Sequence, residues 1–534
     1  MNVIDRMLGR LSGVAPTTAP PPVMRQVRNL PGYGAGMDQP LVMLTPKDAW
    51  TIRDSFEGTQ IFGEPGSGKT TGSGAALAKA MLRAGYGGLV LTAKPDECAL
   101  WERYARETGR TDSLLIVHPR HKWRFNFLDY EFSRPGEGAG FSENVVELFM
   151  NVIGAIESDG RQANEKFWDN NARRLLRHTL ELIVAAGDVP TMPRLMDVID
   201  SAPWENPDTQ EMRRRPDSYC DACLARARDR GAPQLAMLER YWLGQWARQP
   251  HKTRAGIEAT LTGMADPFLS GMASELFSTT TNFIPEWSLL GAVIVIDLSE
   301  AEWFQAGRRA QLLFKYIWQR AVMRRGGLPR GHRPVFLFVD EAQTFTTPLD
   351  AQFQAMARSS CAATVYLTQN ISNYLAIMEP HRGQAQTDSL LANLGTKIFH
   401  RNTDHRTNQW ASDAIGKGTL IRYSGGTSKS LGRSAQNSGS RGKSYGPSNE
   451  MLMWGPSTVS TQHGYSDGIN SSSSENTGWR EEVDYLIQPQ AFTALSGGGP
   501  GSRWTVQAIV LKGGKRFAYT GLPVTGAAFL QDGR

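Results

Sequence analysis

The sequence predicts an α/β fold with a largely parallel β-sheet and a helical domain inserted into it. Three observations predict this fold. A glycine-rich motif at 63–70 stands between an extended segment and a helix-forming segment. Short apolar strands alternate with helical segments from 41 to 130, and apolar strands return after residue 288. Between them, residues 141–287 place apolar side chains at the three- and four-residue spacing of helices.

The element pattern divides the chain into five regions. A Pro-rich tether is predicted at 1–40, an α/β domain at 41–140 and 288–423, and an inserted all-α domain at 141–287. Residues 424–478 hold 25 Ser or Gly among 55, too few apolar anchors to order the chain, so a flexible loop is predicted there. Strands at 479–534 are expected to complete the sheet of the α/β domain as an added edge.

The individual elements follow from apolar runs and from helical periodicity. The predicted strands are 60–62, 88–92, 114–117, 292–296, 335–339, 363–367, 504–511 and 516–519. The predicted helices are 75–82, 97–108, 164–186, 234–248 and 306–324.

Charge is unevenly distributed along the 534 residues, although the net charge is only +6. Residues 141–290 carry 16 Lys or Arg against 21 Asp or Glu, whereas residues 301–440 carry 17 against 8. A surface for an anionic partner such as nucleic acid is therefore expected in the later segment.

Cysteine usage and hydropathy indicate a reducing, aqueous compartment. Cys220 and Cys223 have the spacing of half a zinc site, but no second pair stands at ligand spacing, so reduced thiols are favoured among the four cysteines. No signal peptide begins the sequence, and no apolar run approaches the ~20 residues that cross a bilayer. We therefore expect a soluble protein.

The glycine-rich motif is typical of a phosphate-binding loop, or P-loop. It fits the spacing Gly-x-x-x-x-Gly-Lys-Ser/Thr without a mismatch, through Gly63, Glu64, Pro65, Gly66, Ser67, Gly68, Lys69 and Thr70. Glycines let backbone N–H groups turn toward an anion, and the following helix adds its positive end. Lys69 would then contact the β- and γ-phosphates of ATP, Thr70 would bind Mg²⁺, and Thr71 would complete the cradle. The alternative is a glycine-rich turn with no ligand.

A second motif lies at the end of the apolar strand 335–339, where Asp340 and Glu341 follow directly. Such a strand delivers its carboxylates to the carboxyl edge of the sheet, where folds of this type bind ligands. Asp340 is predicted to hold Mg²⁺ through its water shell. Glu341 is predicted to polarise the attacking water.

Two further residues are candidates near the next strand, 363–367. Gln369, just after that strand, is placed to sense the γ-phosphate; the alternative is an amide that caps the next helix. Arg358, one turn before the strand, could reach a neighbouring subunit's nucleotide as an arginine finger. The alternative for Arg358 is a solvated surface residue.

These motifs, in this order, resemble the type IV secretion coupling proteins, the conjugative DNA-transfer ATPases of the FtsK/HerA-like motor group. Residues 92–97 resemble the family's Asp-Pro-Lys-Gly-Glu strand end, and residues 124–128 its Trp-Asn-Pro-Leu element. Residues 167–176 resemble the entry to the family's all-α domain, and residues 401–404 its segment after the glutamine strand. The similarity covers roughly 50–423, with a weaker echo at 479–525.

The resemblance implies a RecA-like P-loop domain, and a hexameric ring that binds ATP between subunits and moves single- or double-stranded DNA without base specificity. It also implies secretion-channel or relaxase-like protein partners, in the bacterial cytoplasm. Because the family's membrane helices are not found in this sequence, membrane contact would come through a partner at the inner membrane or would not exist. Candidate DNA contacts are Arg324, Arg325, Arg330 and Arg333, although such a cluster is more often a solvated face.

Two other functions remain open at this point. One is a soluble HerA-type DNA motor that works with a nuclease on another chain. The other is a recruitment module, in which nucleotide switches the conformation of the helical insertion and the Ser/Gly-rich segment toward protein cargo.

Overall fold

The computed structural model describes residues 36–134, 136–154, 165–206, 208–327, 332–377, 383–431, 443–445 and 471–532. The predicted Pro-rich tether lies outside these residues, apart from 36–40. Among the described helices, none combines the length and hydropathy that crossing a bilayer requires.

The strands are β1 (Pro40–Met43), β2 (Ala49–Thr51), β3 (Thr59–Phe62), β4 (Gly87–Leu91), β5 (Leu114–Val117), β6 (Trp204–Glu205), β7 (Met212–Arg213), β8 (Val293–Ile296), β9 (Val335–Val339), β10 (Ala362–Thr368), β11 (Thr396–Phe399), β12 (Lys417–Leu431), β13 (Lys443–Tyr445), β14 (Ser471–Tyr485), β15 (Thr505–Lys512) and β16 (Val524–Leu530). Seven of the eight predicted strands are present, as β3, β4, β5, β8, β9, β10 and β15, and the other strands were not predicted.

The helices are concentrated in the middle of the chain. They are α1 (Ile52–Phe56), α2 (Ala75–Arg83), α3 (Glu97–Glu107), α4 (Phe127–Ser133), α5 (Ser142–Gly154), α6 (Glu165–Ala185), α7 (Met192–Ser201), α8 (Tyr219–Asp229), α9 (Leu235–Glu239), α10 (His251–Ala265), α11 (Gly271–Phe277), α12 (Glu300–Met323), α13 (Pro348–Ala357), α14 (Ile371–Ile377), α15 (Gly383–Asn393) and α16 (His405–Ile415).

The chain forms two compact units. The large unit contains Met81–Val365 and Ile377–Asn393, and the P-loop unit contains Gly36–Ala80, Tyr366–Ala376 and the chain from Leu394 onward.

The large unit carries four parallel strands in the order β9-β4-β8-β5. Every residue of β4, β8 and β9 is buried, as expected for parallel strands covered on both faces. Trp101 of α3 covers one face by stacking on Phe336 of β9, with 5.5 Å between the ring centroids. The predicted parallel sheet of an α/β domain is present.

The helical insertion also contains a small hairpin, which the all-α expectation for 141–287 did not include. Strands β6 and β7 pair antiparallel, and the amide of Asn206 donates to the carbonyl of Glu211 at their junction. Trp204 lies exposed in this hairpin beneath the guanidinium of Arg213, which is 5.1 Å from the ring centroid. A two-residue strand lies below the length at which apolar periodicity can be recognised.

Cys220 and Cys223 are both fully buried in α8. Burial raises the pKa of the Cys223 thiol to about 11, so the thiol is protonated at neutral pH. Among the described residues, no group of three or more His, Cys, Asp or Glu is arranged to hold a metal ion. Neither cysteine forms a disulfide bond.

The P-loop unit has a mixed sheet. Strand β11 pairs parallel with β3 and antiparallel with β15, and β15 pairs antiparallel with β16 at the edge. The predicted C-terminal edge is therefore present, but the strand predicted at 516–519 is wrong. Those residues form a turn in which Phe517 and Gly521 are bonded through their backbones, and the carboxylate of Asp48 accepts the amides of Ala518 and Tyr519. The edge strand is β16 instead.

The Ser/Gly-rich segment 424–478 also differs from the expected flexible loop wherever it is described. Strands β12 and β14 pair antiparallel from Lys417↔Tyr485 to Leu431↔Ser471, and β13 pairs with β12. An antiparallel ladder satisfies backbone donors and acceptors without needing apolar side chains, which is why composition missed it. Residues 432–442 and 446–470 lie outside the described residues.

Candidate nucleotide-binding site

The P-loop leaves β3 between the ends of two neighbouring strands. The amide of Gly63 donates to the carbonyl of Thr368 at 3.2 Å, and the amide of Glu64 donates to the carbonyl of Arg401 at 3.1 Å. Strand β3 thus delivers the loop to the carboxyl ends of β10 and β11, the edge at which this kind of sheet binds ligands.

Two glycines are required by the loop's conformation. Gly66 and Gly68 have φ angles of +74° and +80°, which side-chain-bearing residues rarely adopt. A Cβ atom on Gly68 would also lie 2.6 Å from the side chain of Val506 and 2.9 Å from the carbonyl of Gly497. The sequence motif therefore has a local physical cause.

The loop continues without a break into helical backbone. Thr70–Gly74 forms a π-helical turn that runs directly into α2, so the helical backbone begins at Thr70. The amide of Ser67 turns back to the carbonyl of Glu64, whereas the amides of Gly66 and Gly68 make no hydrogen bond among the described residues. The Ser67 hydroxyl is buried and also has no partner among them. Open donors at the start of a helix fit a bound phosphate group.

The predicted contact residues lie at this helical start. Lys69 is 6% exposed, and Thr70 and Thr71 are half-buried. The carbonyl of Thr71 accepts the amide of Asp532, and the Asp532 carboxylate pairs with Lys79 of α2. The end of the chain therefore holds the helix that carries the P-loop lysine.

Glu64 anchors the loop from its other side. One carboxylate oxygen accepts from Arg401 Nε at 2.7 Å, and the other accepts from the amide and the hydroxyl of Thr403 at 3.2 and 2.9 Å. Glu64 occupies a position at which the P-loop motif allows any residue, so its anchoring role could not be predicted from the motif. The only signal was the family-like segment 401–404.

An open pocket of about 300 Å³ lies beside this anchor, within the P-loop unit. It is lined by Glu64, Pro65, Gln369, Asn370, Asn402, Thr403 and Asp404. The backbone carbonyl of Gln369 accepts a hydrogen bond from the Asn402 side chain at 2.8 Å, which fixes the end of β10 against β11. The structure therefore places Gln369 next to the P-loop, while its role as a phosphate sensor stays a prediction.

A buried histidine supports the helix after the loop, and the sequence analysis did not identify it. His400 Nε2 is 2.7 Å from the Ser73 hydroxyl, and its Nδ1 is 2.9 Å from the carbonyl of Gln507. A carbonyl can only accept, so Nδ1 carries the proton and Ser73 donates to Nε2. Burial lowers the pKa of His400 to about 4, so the ring is neutral.

The acidic motif forms a second cluster, in the large unit. Asp340 and Glu341 are 5% and 8% exposed at the end of β9. Lys94 Nζ lies 2.9 Å from Glu341 Oε1 and 3.8 Å from Asp340 Oδ2. Burial opposes the charge of Lys94, but the two carboxylates raise its pKa above the usual value. Glu97 lies close to them, and burial followed by the charge of Asp340 raises its pKa to about 8.

Arg358 lies exposed at the C-terminus of α13 in the large unit. Its exposure suits either an arginine finger or a solvated surface residue, so its catalytic role stays a prediction.

The P-loop residues and Gln369 belong to the P-loop unit, and Asp340, Glu341 and Arg358 belong to the large unit. Their joint action on one nucleotide also stays a prediction.

Of the basic cluster proposed as a DNA surface, Arg325 does not fit, whereas DNA contact by Arg324 and Arg333 stays a prediction. Arg325 is buried and donates to the carbonyls of Ser360 and Cys361 at 2.7 and 3.0 Å. Arg333 donates to the carbonyl of Gly85, and Arg324 pairs with Glu286. Arg324 is exposed and Arg333 is half-buried, and Arg330 lies outside the described residues.

Residues 334–496 match a family model described as the TraM recognition site of TraD and TraG. No curated protein sequence matches the chain.

Among solved structures, the fold is similar to that of the bacterial conjugative coupling protein TrwB. Its TrwBdeltaN70 form in an unbound monoclinic crystal gives a TM-score of 0.58 at 14% identity, covering 96% of this chain and 92% of that one. TrwB with a non-hydrolysable GTP analogue gives 0.57 and TrwB with ADP and Mg²⁺ gives 0.56, each at 13% identity with the same coverage.

At such identities the likeness establishes the fold. The predicted RecA-like P-loop domain with an inserted helical domain is confirmed. The resemblance to the type IV secretion coupling proteins is confirmed by this fold and, over residues 334–496, by the family model.

Proposed function

We propose that this chain is a coupling ATPase, which hydrolyses ATP to deliver DNA or a DNA–protein complex to a type IV secretion apparatus. The observation that carries the proposal is an intact P-loop, with open backbone donors, on the fold of a conjugative coupling protein. TrwB has been solved with ADP and Mg²⁺ and with a non-hydrolysable ATP analogue, which supports ATP and Mg²⁺ as ligands here.

The residues of the P-loop unit would bind and orient the triphosphate. Backbone amides of the loop and the positive end of the helical segment at Thr70 would hold the phosphates, and Lys69 would neutralise the charge that develops on them. Thr70 and Asp340 would hold Mg²⁺, which supplies further charge stabilisation when bound. Gln369, at the end of β10, would report whether the γ-phosphate is present.

Glu341 would accept the proton of the attacking water, because hydrolysis needs a base where a kinase uses an acceptor hydroxyl. Its burial removes competing bulk water and strengthens its interaction with a nearby positive group. Arg358 would act on the nucleotide of a neighbouring subunit, as ring motors require.

Two variants test the chemistry. Glu341→Gln should bind ATP with unchanged affinity and lose turnover by about 10²–10⁴-fold, the usual contribution of a general base. Lys69→Ala should lose nucleotide binding itself. Binding is measured with a fluorescent ATP analogue and turnover by phosphate release. Glu102→Gln, which removes an exposed carboxylate on α3, is the matched control and should behave as wild type.

Unchanged turnover in Glu341→Gln would remove this residue from the mechanism. A wild-type protein that takes up no ATP in the presence of magnesium would overturn the ATPase proposal altogether.

The proposed function also involves DNA and protein partners. We infer that the chain forms a ring that acts on DNA without base specificity, so ATP turnover per subunit should rise with the concentration of DNA and with the concentration of the protein itself. A rate independent of both would count against a ring motor.

The match of residues 334–496 to a TraM recognition site supports docking of a TraM-like protein there, and favours the coupling role over a motor paired with a nuclease. Contact with the inner membrane would come through such partners.

A further inference from the structure

The acidic motif of the large unit is paired with a lysine from the neighbouring strand. Strands β4 and β9 are in register up to Leu91↔Val339, so the segments that follow them leave the sheet side by side. Lys94 lies three residues beyond β4 and reaches Glu341 Oε1 at 2.9 Å. This contact involves the side chain that the proposed function assigns as the base.

The second oxygen of Glu341 is engaged as well. Glu341 Oε2 accepts a hydrogen bond from the Gln343 side-chain amide at 3.0 Å. The backbone of Glu341 is in the left-handed region, with φ 50° and ψ 50°, and its amide donates to Asp340 Oδ1 at 2.9 Å. Backbone and side-chain contacts therefore fix the carboxylate in one direction.

A carboxylate held in this way is a poor base. A general base must offer a lone pair to the water whose proton it takes, at hydrogen-bond distance. Here one oxygen faces an ammonium group and the other faces an amide N–H.

The backbone beside Lys94 is held in place, but its side chain can move away from the two carboxylates. The loop behind it is closed by Glu97, whose carboxylate accepts the amide of Ala93 at 2.8 Å. The Lys94 side chain is 45% exposed, whereas those of Glu341 and Asp340 are 10% and 6% exposed. A part-exposed ion pair of this kind costs little to break, so the lysine can move while the carboxylates stay in place.

Resting on the proposed function of Glu341, we propose that Lys94 is a positioning residue that restrains hydrolysis. It holds the Glu341 carboxylate in an ion pair in which one lone pair of each oxygen is already engaged, so that water must compete with Lys94 and Gln343 for the carboxylate. Binding of DNA, a polyanion that attracts the part-exposed ammonium group, then stimulates turnover by drawing Lys94 away. A competing role, in which Lys94 assists hydrolysis by contacting phosphate, predicts the opposite change when its charge is removed.

The test compares two variants of the full chain. Lys94→Met keeps approximately the length of the side chain and removes its charge; it should raise DNA-free turnover about 2- to 5-fold. The ATP KM should stay within about twofold, and the stimulation by DNA should shrink by the same factor as the basal rate rises. Lys94→Arg keeps the charge and should keep the low basal rate. Lys47→Met, at an exposed lysine of the P-loop unit, is the control.

A lower or unchanged basal rate in Lys94→Met, with ATP binding retained, overturns the inference while leaving the proposed function intact. Adding Glu341→Gln to Lys94→Met should abolish the gained turnover; a gain that survives this second change also overturns it. A wild-type protein without ATPase activity in the presence of DNA overturns the proposed function, and the inference with it.

Discussion

His400 links the helix after the P-loop to the C-terminal strands through two hydrogen bonds, one at each ring nitrogen. The bond in which Nε2 accepts from Ser73 requires the neutral ring, whereas Nδ1 can donate to the carbonyl of Gln507 in either state. The pKa of His400 is about 4 in the folded protein, whereas its ordinary value is 6.5. Between these two pH values the unfolded chain therefore binds a proton at His400 and the folded chain does not. His400 therefore contributes stability that is fully present above pH 6.5 and is lost as the pH falls toward 4.

The expected loss across that window is roughly 3 kcal/mol, from a pKa difference of about 2.5 units. His400→Gln has no ring to protonate, so its thermal midpoint should fall less than that of the wild type between pH 7 and pH 5. Calorimetry at the two pH values measures this difference. If the thermal midpoint falls equally in both proteins, protonation of His400 does not contribute to the pH dependence of stability.

Individual side chains show which site residues a single sequence can predict. Gly66, Gly68 and Lys69 were predictable because the phosphate cradle needs those residue types at fixed spacing. His400 and Lys94 were not predicted as functional, because their importance lies in contacts with Ser73 and Glu341, 327 and 247 positions away. No spacing rule connects residues so far apart.

At the scale of elements, apolar strands were predictable and boundaries set by polar contacts were not. Strands β5 and β9 have the bounds that their apolar runs predict. Helix α12 begins at Glu300, but Phe304 has a non-helical backbone (φ 47°) and interrupts its first turns, so the uninterrupted helix begins close to the predicted residue 306. The strand predicted at 516–519 became a turn because Asp48, from the other end of the chain, binds its amides.

Helix α12 is joined to the segment that follows the acidic strand by a buried ion pair. Lys315 Nζ lies 2.6 Å from Asp350 Oδ2, each side chain is 1% exposed, and Gln319 donates to the other carboxylate oxygen at 2.7 Å. Lys315 also donates to the carbonyl of Phe345. One lysine thus ties α12 to α13 and to the turn behind Glu341.

Lys315→Met should destabilise the large unit by about 3–5 kcal/mol, because it leaves the Asp350 charge buried without its partner. The double variant Lys315→Met, Asp350→Asn should recover part of the loss. Arg248→Met, which breaks an exposed pair with Glu205, is the control and should cost less than about 1 kcal/mol. Thermal unfolding midpoints compare the three; equal effects of Lys315→Met and Arg248→Met would contradict the buried-pair argument.

At the scale of the whole molecule, the architecture was predictable because the sheet strands are recognisable on both sides of the insertion. The segments around 88–92 and 335–339 are separated by the helical block, yet they pair directly as β4 and β9. The pairing of β12 with β14 was not predictable, since their Ser- and Gly-rich sequences lack the apolar alternation that marks a strand.

Assembly gives a prediction that belongs to no single subunit. If Arg358 acts in trans, Arg358→Ala and Glu341→Gln should each be inactive alone, but a mixture should regain activity. In mixed rings about a quarter of the sites would join an intact Glu341 to an intact Arg358, which sets the upper limit of recovery. Phosphate release from equimolar mixtures measures it. A mixture no more active than its components would place Arg358 outside the catalytic site.

The packing of Val506 and Asp532 against the glycine-rich loop has a consequence for biosynthesis. Lys79 and its partner Asp532 are 453 positions apart, so the ribosome makes the loop early and its supports last. At ordinary elongation rates this gap lasts roughly 20 to 90 s. During that time the nascent chain exposes a loop it cannot yet complete, which makes this protein a candidate client for chaperones that shield unfinished chains.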